Sequence, residues 1–457
     1  MKNHHTSKHT RAKMPQNPLH GSVRAPGDKS ISHRAFILGA LAEGTTEITG
    51  LLEGDDILRT SEAMKSFGAK VKRLGDGHWQ VTGRGAKGWK SPSAPVNFGN
   101  AGTGVRLVMG AASGFNIRVD YSGDQSLSAR PMGRVLDPLT QMGAKFSSNE
   151  GKLPIRQTKG GNLNPIAYTP LHASAQVKSA LMLAGLNTKG ITQITETRLT
   201  RDHTENMLTA FGAHITRKKS GDGQIVGVTG LALLKATNIK VPGDPSSAAF
   251  LIAAALIVPG SDIVVENVMM NPTRTGLFEV LTEMGAFLRA DNFRRSGGET
   301  IADLHVRHSR LIGVTVSAAR VPSMVDEYPI LAVIAAFAKG DTVMHGLGEL
   351  RVKESDRLAA TYTLLSKNGV KASIDGDSLK VSGTRQLANQ YTPIKGGGHV
   401  KTEHDHRIAM SALILGLGTQ TPVSIDDASM IATSFPTFFD LMGTLGAPIE
   451  YILMKGS

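Results

Sequence analysis

Cysteine is absent from this sequence of 457 residues. Its absence excludes disulfide bonds, cysteine-ligated zinc and a thiol nucleophile. Aromatic residues are scarce, at 5% of the chain, whereas glycine occurs 51 times, so we expect many tight turns and a core of small aliphatic side chains. No apolar run reaches the roughly 18 residues that a membrane-spanning helix requires, and the N-terminus lacks the apolar stretch of a secretory signal. We therefore expect a cytoplasmic protein that does not bind membranes.

Positive charge is in excess, with a formal net charge of +13 and a pI of about 9.8. Such a balance suits binding to nucleic acid or to small anions, and it also suits a basic surface without any anionic partner. Part of the excess lies in residues 1–20, which carry four cations and no acid. We predict that this segment is a flexible basic tail.

One pattern recurs six times along the chain: an amphipathic helix, a glycine with a small residue after it, and then a short strand. Each glycine stands where the C-cap of a helix needs a left-handed residue. The six glycines are Gly68, Gly143, Gly212, Gly285, Gly369 and Gly446. They divide the chain into six units of about 76 residues, and such regular self-similarity indicates a repeat architecture.

Each unit contains a second helix that is apolar on nearly every side, as in AFILGALAEG and AAFLIAAALIVPG. A helix of this kind is buried. Because a β-rich run follows each one, each unit is interpreted as strand, buried helix, strand, strand, exposed helix and strand, and we predict an α/β (α+β) protein whose six units form two three-fold domains with helices inside and sheets outside. A doubly wound α/β sheet is the alternative, which the near-even spacing of the six copies disfavours.

Polar and glycine-rich residues precede every apolar helix. Ser, Asp and Asn at such positions cap helices, and capping explains the GDPSS segment at 243–247. It does not explain Lys29, Arg34, Arg106 or Arg407, since a cation near a helix N-terminus opposes the helix dipole unless an anion lies between them. Helix N-termini also bind phosphate and carboxylate groups. If all six N-termini face one cleft, we expect a ligand with several such groups.

Acids accompany cations in two segments. Asp326 and Glu327 open the fifth buried helix, and RVKESDR at 351–357 holds three cations and two acids. One interpretation is a solvated helix start with i,i+3 and i,i+4 ion pairs. The other is a carboxylate that neighbouring cations keep ionised, so that it can act as a base. HDHR at 404–407 is similar to a metal-ligand pair, but no third ligand lies nearby in the sequence, and we expect no metal.

A set of short motifs resembles those of one enzyme family. The motifs are PGDKSISHR, NAGTG, RPMGR, SAQVKSA, NPTRTG, MVDEYP, RVKESDR and DHRIAM, which span residues 26–410 in the family's order. They are similar to motifs of the 5-enolpyruvylshikimate-3-phosphate synthases. The resemblance implies that the chain transfers the enolpyruvyl group of phosphoenolpyruvate to the 5-hydroxyl of shikimate-3-phosphate in the shikimate pathway, which leads to the aromatic amino acids. It also implies two hinged domains, residues 21–241 and 242–457, each a pseudo-three-fold set of βαβαββ-type repeats with buried helices and outer sheets (inverse β-prism-like), with the N-terminal residues packed on the second.

The resemblance assigns roles to residues at matching positions. The contacts that it implies for shikimate-3-phosphate are Lys29, Ser30, Arg34, Ser174, Ala175, Gln176, Arg201, Asp326 and Lys353. Those for phosphoenolpyruvate are Lys29, Gly102, Arg130, Gln176, Arg357 and Arg407. The implied catalytic residues are Asp326, Glu354 and Lys29. We expect most contacts to shikimate-3-phosphate in the first domain and the acid–base carboxylates in the second.

These residue types fit the chemistry of the family. Asp326 is the best candidate for the base that takes the proton of the 5-hydroxyl, and Glu354 or Lys29 can protonate C3 of phosphoenolpyruvate. Arginines hold carboxylate and phosphate bidentately, which fixes geometry as well as charge. Because guanidinium groups supply the positive field, we expect neither a metal nor a cofactor. An open form is expected to close when shikimate-3-phosphate binds.

Some positions depart from the commoner form of the family. Ala175 replaces a serine, Thr433 stands where many members have lysine, and His203 stands where many have tyrosine. Several motifs are similar to a subgroup that tolerates the inhibitor glyphosate. In some tolerant members alanine occupies the position of Gly102, and the methyl group of that alanine crowds the inhibitor. Glyphosate is therefore a possible inhibitor here, and the sequence leaves sensitivity open.

Two other functions compete with this interpretation. The sister enzyme that transfers enolpyruvate to UDP-N-acetylglucosamine shares the repeat fold, but it usually employs a cysteine acid, which this chain lacks. A non-catalytic module that binds nucleic acid or other anions would explain the charge, but not acids placed among the cations. We expect small anionic substrates, no nucleic acid and a monomer.

Overall fold

The computed structural model describes residues 8–384 and 393–453, which form two compact units. Unit I comprises residues 27–242 and 295–299, and unit II comprises the described parts of 1–26, 243–294 and 300–457. The chain passes from unit II to unit I after Pro26 and returns after Pro242. Residues 21–26 therefore belong with the C-terminal half of the chain, and the predicted start of the first domain at residue 21 is corrected to residue 27.

Fourteen helices are formed by the described residues, and twelve of them alternate along the chain between buried and outer positions. In chain order they are α1 (Lys29–Leu41), α2 (Asp55–Ser66), α3 (Gly102–Ser113), α4 (Gln125–Ala129), α5 (Gly133–Gln141), α6 (Ala175–Gly185), α7 (His203–Ala210), α8 (Pro245–Ile257), α9 (Gly276–Glu283), α10 (Val321–Met324), α11 (Tyr328–Ala336), α12 (Arg357–Lys367), α13 (His406–Gly416) and α14 (Phe438–Thr444). The all-round apolar helices α1, α3, α6, α8, α11 and α13 are buried along nearly their whole length, as their composition predicts.

Five short 3₁₀ segments supplement the helices, at Gly85–Lys87, Ala318–Arg320, Val325–Glu327, Leu347–Val352 and Ser429–Thr433. The strands are β1 (Lys8–Ala12), β2 (His20–Arg24), β3 (Thr45–Thr49), β4 (Lys70–Gly75), β5 (His78–Thr82), β6 (Val96–Asn97), β7 (Val119–Ser122), β8 (Lys145–Asn149), β9 (Lys152–Lys159), β10 (Ala167–Tyr168), β11 (Ile191–Glu196), β12 (Ile215–Ser220), β13 (Gly223–Thr229), β14 (Ile239–Lys240), β15 (Asp262–Met269), β16 (Phe287–Ser296), β17 (Glu299–Arg307), β18 (Thr315–Val316), β19 (Asp341–Met344), β20 (Ala372–Asp375), β21 (Ser378–Ser382), β22 (Ile394–Gly396), β23 (His399–Val400), β24 (Thr419–Thr421), β25 (Val423–Ile425) and β26 (Ile449–Leu453).

Six four-stranded sheets repeat one topology, with the strand before a buried helix at one edge. This edge strand runs parallel to the strand that follows a buried helix. Two antiparallel strands complete the sheet, as in β10-β11-β13-β12 and β6-β7-β9-β8. The strands β2 and β14, at the two crossings between units, exchange places. β2 precedes α1 but pairs with β15, and β14 precedes α8 but pairs with β3. The mixed α/β fold of two repeat-built domains is thus confirmed.

The N-terminal segment is part of a sheet from residue 8 onward. β1 lies between β25 and β26 and is antiparallel to both. In the other sheets this inner place is held by a strand of the C-terminal part of the same repeat, so β1 completes the last repeat of the chain. The prediction of a flexible tail over residues 1–20 is therefore wrong for residues 8–20, whereas residues 1–7 lie outside the described residues.

The six repeated glycines follow the outer helices, and their φ angles lie between +81° and +112°. This backbone conformation favours glycine over any residue with a Cβ, which confirms the C-cap interpretation. Glycine also permits close helix packing inside unit I. A Cβ on Gly110 of α3 would lie 2.2 Å from the carbonyl oxygen of Ala180 in α6, so these two helices could not approach as they do with alanine there.

Candidate active site

The start of α1 in unit I carries a compact polar group. Asp28 caps the helix, since its carboxylate accepts a hydrogen bond of 2.7 Å from the backbone N–H of Ile31. The next residue, Lys29, forms an ion pair with the mostly buried Asp56. Burial, followed by the charges of Lys29 and Arg34, lowers the pKa of His33 well below its ordinary value. His33 therefore stays neutral, and Lys29 and Arg34 carry the positive charge of this helix start.

Arg34 is buried, and its guanidinium joins three elements. It donates from Nε to Thr204 Oγ1 at 2.7 Å and from Nη2 to Ser179 Oγ at 2.8 Å. Its Nη1 donates to the carbonyl oxygen of Ser30 at 2.8 Å. The predicted ligand residue Ser30 is thus held by a second predicted ligand residue, and Arg34 links α1 to α6 and α7.

Arg106 of α3 orients Gln176 at the start of α6. Its Nη1 donates to Gln176 Oε1 at 2.9 Å, and Gln176 Nε2 donates to Thr103 Oγ1 at 2.9 Å. Both ends of the Gln176 amide are therefore fixed. Arg106 Nη2 also donates to the carbonyl oxygen of Pro131 at 3.2 Å, next to Arg130. The sequence marked Arg106 as a cation that capping cannot explain, but the family motifs assigned it no role.

Arg130 and Gly102 lie against each other at the start of α3. Arg130 Nη2 donates to Asn100 Oδ1 and, at 3.3 Å, to Ser126 Oγ. A Cβ placed on Gly102 would lie 2.9 Å from Arg130 Nη1 and 3.2 Å from Arg106 Nη1. Glycine here leaves room for two guanidinium groups beside the first turn of the helix.

Ala175 is the first residue of α6, and the hydroxyl of Ser174 caps the helix by accepting from the backbone N–H of Val177 at 3.4 Å. Helix starts of this kind present free N–H groups to an anion. Arg201 lies just before α7 and is half-buried. Ala175 has no hydroxyl to make the hydrogen bond that a serine can make in other family members. Backbone N–H groups at the helix start can make that hydrogen bond instead.

A buried ionic group supports the segment that leads to Arg201. Lys178 Nζ lies 2.6 Å from Glu205 Oε1 and 3.0 Å from Glu196 Oε2, and all three side chains are almost completely buried. Glu196 also accepts the backbone N–H of Thr200 at 3.2 Å. Burial raises the pKa of Glu205. This group joins α6 to α7 beneath the predicted phosphate-binding segment.

Arg357 is the centre of a second cluster, in unit II, where it is 1% exposed. It donates from Nη1 to Asp326 Oδ1 at 3.0 Å and from Nε to Asp405 Oδ2 at 2.8 Å, and its Nη2 lies 2.5 Å from Glu354 Oε2. Burial opposes the charge, but Asp405, Glu354 and Asp326 together raise the pKa of Arg357 above its ordinary value. The predicted acid–base residues Asp326 and Glu354 are thus brought together by a predicted ligand residue.

Arg407 joins the same cluster from the start of α13. Its Nη1 donates to the carbonyl oxygen of Asp326 at 3.2 Å and lies 3.7 Å from Glu327 Oε1. Glu327 accepts a hydrogen bond from Ser246, whose Oγ accepts from Arg274 Nη2 at 2.9 Å. Asp326 is therefore held by two arginines, one through its side chain and one through its backbone.

Lys353 lies beside these acids. Burial lowers its pKa below the ordinary lysine value, while the charge of Asp326 opposes that shift and the charge of Arg357 adds to it. Glu354 and Arg357 form an i,i+3 ion pair, as one interpretation of RVKESDR predicts, but the pair is not solvated, since the Arg357 side chain is 1% exposed. Asp326 belongs to the same cluster, and the role of a carboxylate as a base stays a prediction.

The helix cap predicted within GDPSS is confirmed, and its carboxylate, from Asp244, also contacts an arginine. Asp244 Oδ1 accepts from the backbone N–H of Ser246 at 2.9 Å and from Arg274 Nη2 at 2.8 Å. Sequence reasoning missed Arg274, Asp405 and Asp56, although Arg274 and Asp405 lie inside the NPTR and DHR motifs. Ion pairs between distant segments leave no spacing signal that would have found their partners.

One group of three side chains among the described residues could offer ligands to a metal ion: Asp202, His203 and Glu299, with donor atoms within 4.8 Å of one another. His203 Nδ1 already lies 3.0 Å from Glu299 Oε1, and Arg217 Nη1 lies 3.5 Å from Asp202 Oδ2. A cation would have to displace this hydrogen bond beside a guanidinium, so we assign no metal to the group.

No helix within the described ranges has the length and apolar character needed to cross a membrane.

Comparison with known proteins gives consistent matches. A sequence model of the family described as EPSP synthase (3-phosphoshikimate 1-carboxyvinyltransferase) matches residues 13–442. The chain is 54% identical over 436 residues to the 3-phosphoshikimate 1-carboxyvinyltransferase of Maricaulis maris (strain MCS10), which covers 95% of this chain and 96% of that protein. A relative of the same name from Parvibaculum lavamentivorans is 55% identical over 435 residues, 95% of each chain. The solved structure of EPSP synthase from Acinetobacter baumannii superposes with a TM-score of 0.86 at 42% identity, covering 97% of this chain and 100% of that one.

Proposed function

The chain belongs to the EPSP synthase family and transfers an enolpyruvyl group from phosphoenolpyruvate to shikimate-3-phosphate, and we propose that the two clusters described above perform this reaction. One observation carries the assignment of roles. The buried guanidinium of Arg357 holds Asp326 at 3.0 Å and Glu354 at 2.5 Å, so two carboxylates suited to proton transfer lie beside a cation suited to an anionic substrate.

Shikimate-3-phosphate is assigned mainly to unit I. Its phosphate would meet the N-terminus of α6, where Ser174, Ala175 and Gln176 follow one another, together with Arg201. Lys29 and Ser30 at the start of α1 would hold the remainder, with Arg34 fixing Ser30 in place. Asp326 and Lys353 of unit II complete the proposed contacts.

Phosphoenolpyruvate is assigned to Arg130, Arg357 and Arg407, with Lys29, Gly102 and Gln176. Guanidinium groups bind carboxylate and phosphate through paired, directed hydrogen bonds. Arg357 and Arg407 are held by Asp326 and its backbone, and Arg130 is held by Asn100 and Ser126. Preorganised donors of this kind cost little rearrangement when charge develops in the transition state.

The proposed reaction proceeds by addition and elimination. In the addition step the 5-oxygen of shikimate-3-phosphate bonds to C2 of phosphoenolpyruvate, its proton passes to Asp326, and C3 gains a proton from Glu354 or Lys29. In the elimination step C3 returns a proton to the group that supplied one in the addition step, and the bond from C2 to the phosphate oxygen breaks. The double bond is thereby restored and inorganic phosphate leaves. We assign no step to a metal or cofactor, because the guanidinium and ammonium groups supply the positive field.

Acids outnumber cations in the unit II cluster. Four carboxylates, from Asp326, Glu327, Glu354 and Asp405, face the three cations of Lys353, Arg357 and Arg407. Entry of an anion adds further negative charge. Uptake of one proton by the cluster would offset that charge.

We further propose that the protein acts as a monomer in the cytoplasm and that glyphosate competes with phosphoenolpyruvate. Gly102 supports the last point, since no methyl group narrows the space beside Arg130. Light scattering coupled to size-exclusion chromatography tests the monomer, and competitive inhibition of phosphate release tests glyphosate.

Phosphate release from the purified protein tests the proposal directly. The protein would receive phosphoenolpyruvate with either shikimate-3-phosphate or UDP-N-acetylglucosamine, in the presence of a chelator. Release with shikimate-3-phosphate alone is the expected result. Release only with UDP-N-acetylglucosamine would contradict the assigned acceptor. Tight binding to duplex DNA with a steep salt dependence, and no phosphate release, would favour a nucleic-acid-binding module instead.

A further inference from the structure

We propose that Asp405 is a positioning residue that sets the direction of both unit II arginines assigned to phosphoenolpyruvate. The inference rests on the roles proposed above for Arg357 and Arg407. None of the family motifs gives Asp405 a role of its own, and the sequence interpretation of HDHR considered only its histidines and its arginine.

Both carboxylate oxygens of Asp405 accept hydrogen bonds from Arg357. Oδ2 accepts from Arg357 Nε at 2.8 Å, and Oδ1 accepts from Nη2 at 3.3 Å. Two parallel hydrogen bonds fix the plane of a guanidinium as well as its position. With Nε and Nη2 held in this way, Nη1 points at Asp326 Oδ1, which lies 3.0 Å away.

The same carboxylate places Arg407. Asp405 is the N-cap of α13, and its Oδ1 accepts from the backbone N–H of Arg407 at 2.9 Å. One carboxylate therefore sets the helix start from which Arg407 extends and the plane of the Arg357 guanidinium. Ser355 restrains it from the other side, since Ser355 Oγ donates to Asp405 Oδ2 at 3.0 Å.

Burial makes this arrangement rigid. Asp405 has no exposed surface, and Arg357 is 1% exposed. Water cannot replace a lost contact at such a site, and an unpaired buried charge is costly. The two arginines are consequently preorganised relative to each other before any substrate binds, and a misplacement of about 1 Å can cost about a hundredfold in rate.

The substitution Asp405→Asn tests the proposal. Asparagine keeps the size of the side chain and can still cap α13, but it removes the charge and turns an NH2 donor toward the donors of Arg357. The KM for phosphoenolpyruvate should rise about tenfold to a hundredfold, as expected for loss of a hydrogen bond between charged groups. Affinity for shikimate-3-phosphate, measured by calorimetry, should change less than about threefold, because most of its proposed contacts lie in unit I.

Asp356→Asn is the matched control. Asp356 is also the N-cap of a unit II helix, α12, but its side chain is exposed and contacts Arg351 at 3.4 Å rather than Arg357 or Arg407. This variant should keep the wild-type KM for both substrates. A milder variant, Ser355→Ala, removes one restraint on Asp405 without leaving a charge unpaired, and it should raise the KM for phosphoenolpyruvate a few-fold.

The outcomes separate positioning from stability and from the assigned function. If Asp405→Asn lowers the melting temperature but leaves the KM for phosphoenolpyruvate unchanged, the proposal is overturned. If that variant does not fold, an unchanged KM in Ser355→Ala overturns it equally. Arg407→Lys tests the assignment beneath the proposal: an unchanged KM for phosphoenolpyruvate in this variant would refute the role of Arg407, whatever Asp405 does.

Discussion

Alanine at position 102 should weaken binding at the phosphoenolpyruvate site by displacing a guanidinium. The new Cβ would lie 2.9 Å from Arg130 Nη1 and 3.2 Å from Arg106 Nη1, both closer than an ordinary contact. Arg130 has to withdraw by a few tenths of an ångström, yet its Nη2 is held by Asn100 and Ser126. The methyl group therefore changes the direction in which Arg130 presents its donors.

The size of the effect follows from the hydrogen bonds that Arg130 can make to an anion. A hydrogen bond to a charged group contributes about 1.5–3 kcal/mol, and a misdirected one keeps part of that. A loss of about 1–2 kcal/mol raises the KM for phosphoenolpyruvate about 5- to 30-fold. Glyphosate is longer than phosphoenolpyruvate and has less freedom to shift away from the methyl group, so its inhibition constant should rise more.

Steady-state phosphate release at saturating shikimate-3-phosphate measures both constants in Gly102→Ala. Gly133→Ala is the control, because Gly133 is likewise the first residue of a helix, α5, and a Cβ there would meet nothing closer than 3.8 Å. The control should keep wild-type kinetics. Equal losses for the two ligands, or an unchanged KM for phosphoenolpyruvate, would refute the argument from Arg130.

Three further substitutions concern Asp326, Lys353 and Lys178. Asp326→Asn keeps an acceptor for Arg357 but removes the base, so kcat should fall about 10²- to 10⁴-fold, with shikimate-3-phosphate binding largely retained. Burial lowers the pKa of Lys353, so kcat/KM should fall as the pH rises through that lowered pKa, and Lys353→Arg should abolish this alkaline limb. Lys178→Met leaves Glu205 and its neighbouring glutamate buried without their cation, which should cost about 3–5 kcal/mol of the free energy of unfolding.

Each of these predictions has a clear contrary result. Full activity in Asp326→Asn would remove that residue from proton transfer. An alkaline limb that persists in Lys353→Arg would belong to another group. For Lys178→Met, denaturant unfolding can be compared with Lys65→Met, which breaks an exposed i,i+3 pair with Glu62 and should cost no more than about 1 kcal/mol. Equal losses in the two variants would contradict the account of the buried group.

Much of the fold could be predicted because its signals are local. A helix that is apolar on all sides must be buried, and a glycine at a helix C-cap marks where an outer helix ends. The six repeats could therefore be predicted from the spacing of these two features. The exchange of β2 and β14 could not be predicted, since the sequences of these two strands do not differ in pattern from those of the other short strands that precede buried helices. The family resemblance placed the N-terminal residues on the second domain, but the strand β1 was not predicted, because a basic, acid-free segment looks like a tail until its partners β25 and β26 are known.

The candidate site divides in the same way. Motifs identified the residue types and their positions at helix starts, because a cation beside a helix N-terminus is unfavourable without an anion. Motifs did not show that Arg34 is committed to Thr204 and Ser179 or that Arg106 holds Gln176. These contacts join segments far apart in sequence, and hydrogen bonds at about 3 Å leave no periodic signal.

The sequence by itself determined the repeat, the buried helices, the family and the set of charged residues available for chemistry, since each of these depends on residue type and spacing along the chain. Only the tertiary structure decided which charges are partners. Asp405 lies 48 residues from Arg357 and Asp326 lies 31 residues from it, and the packing of α11, α12 and α13 brings them within hydrogen-bonding distance. Direction and desolvation, which turn a set of cations into an anion site, arise only when the helices pack.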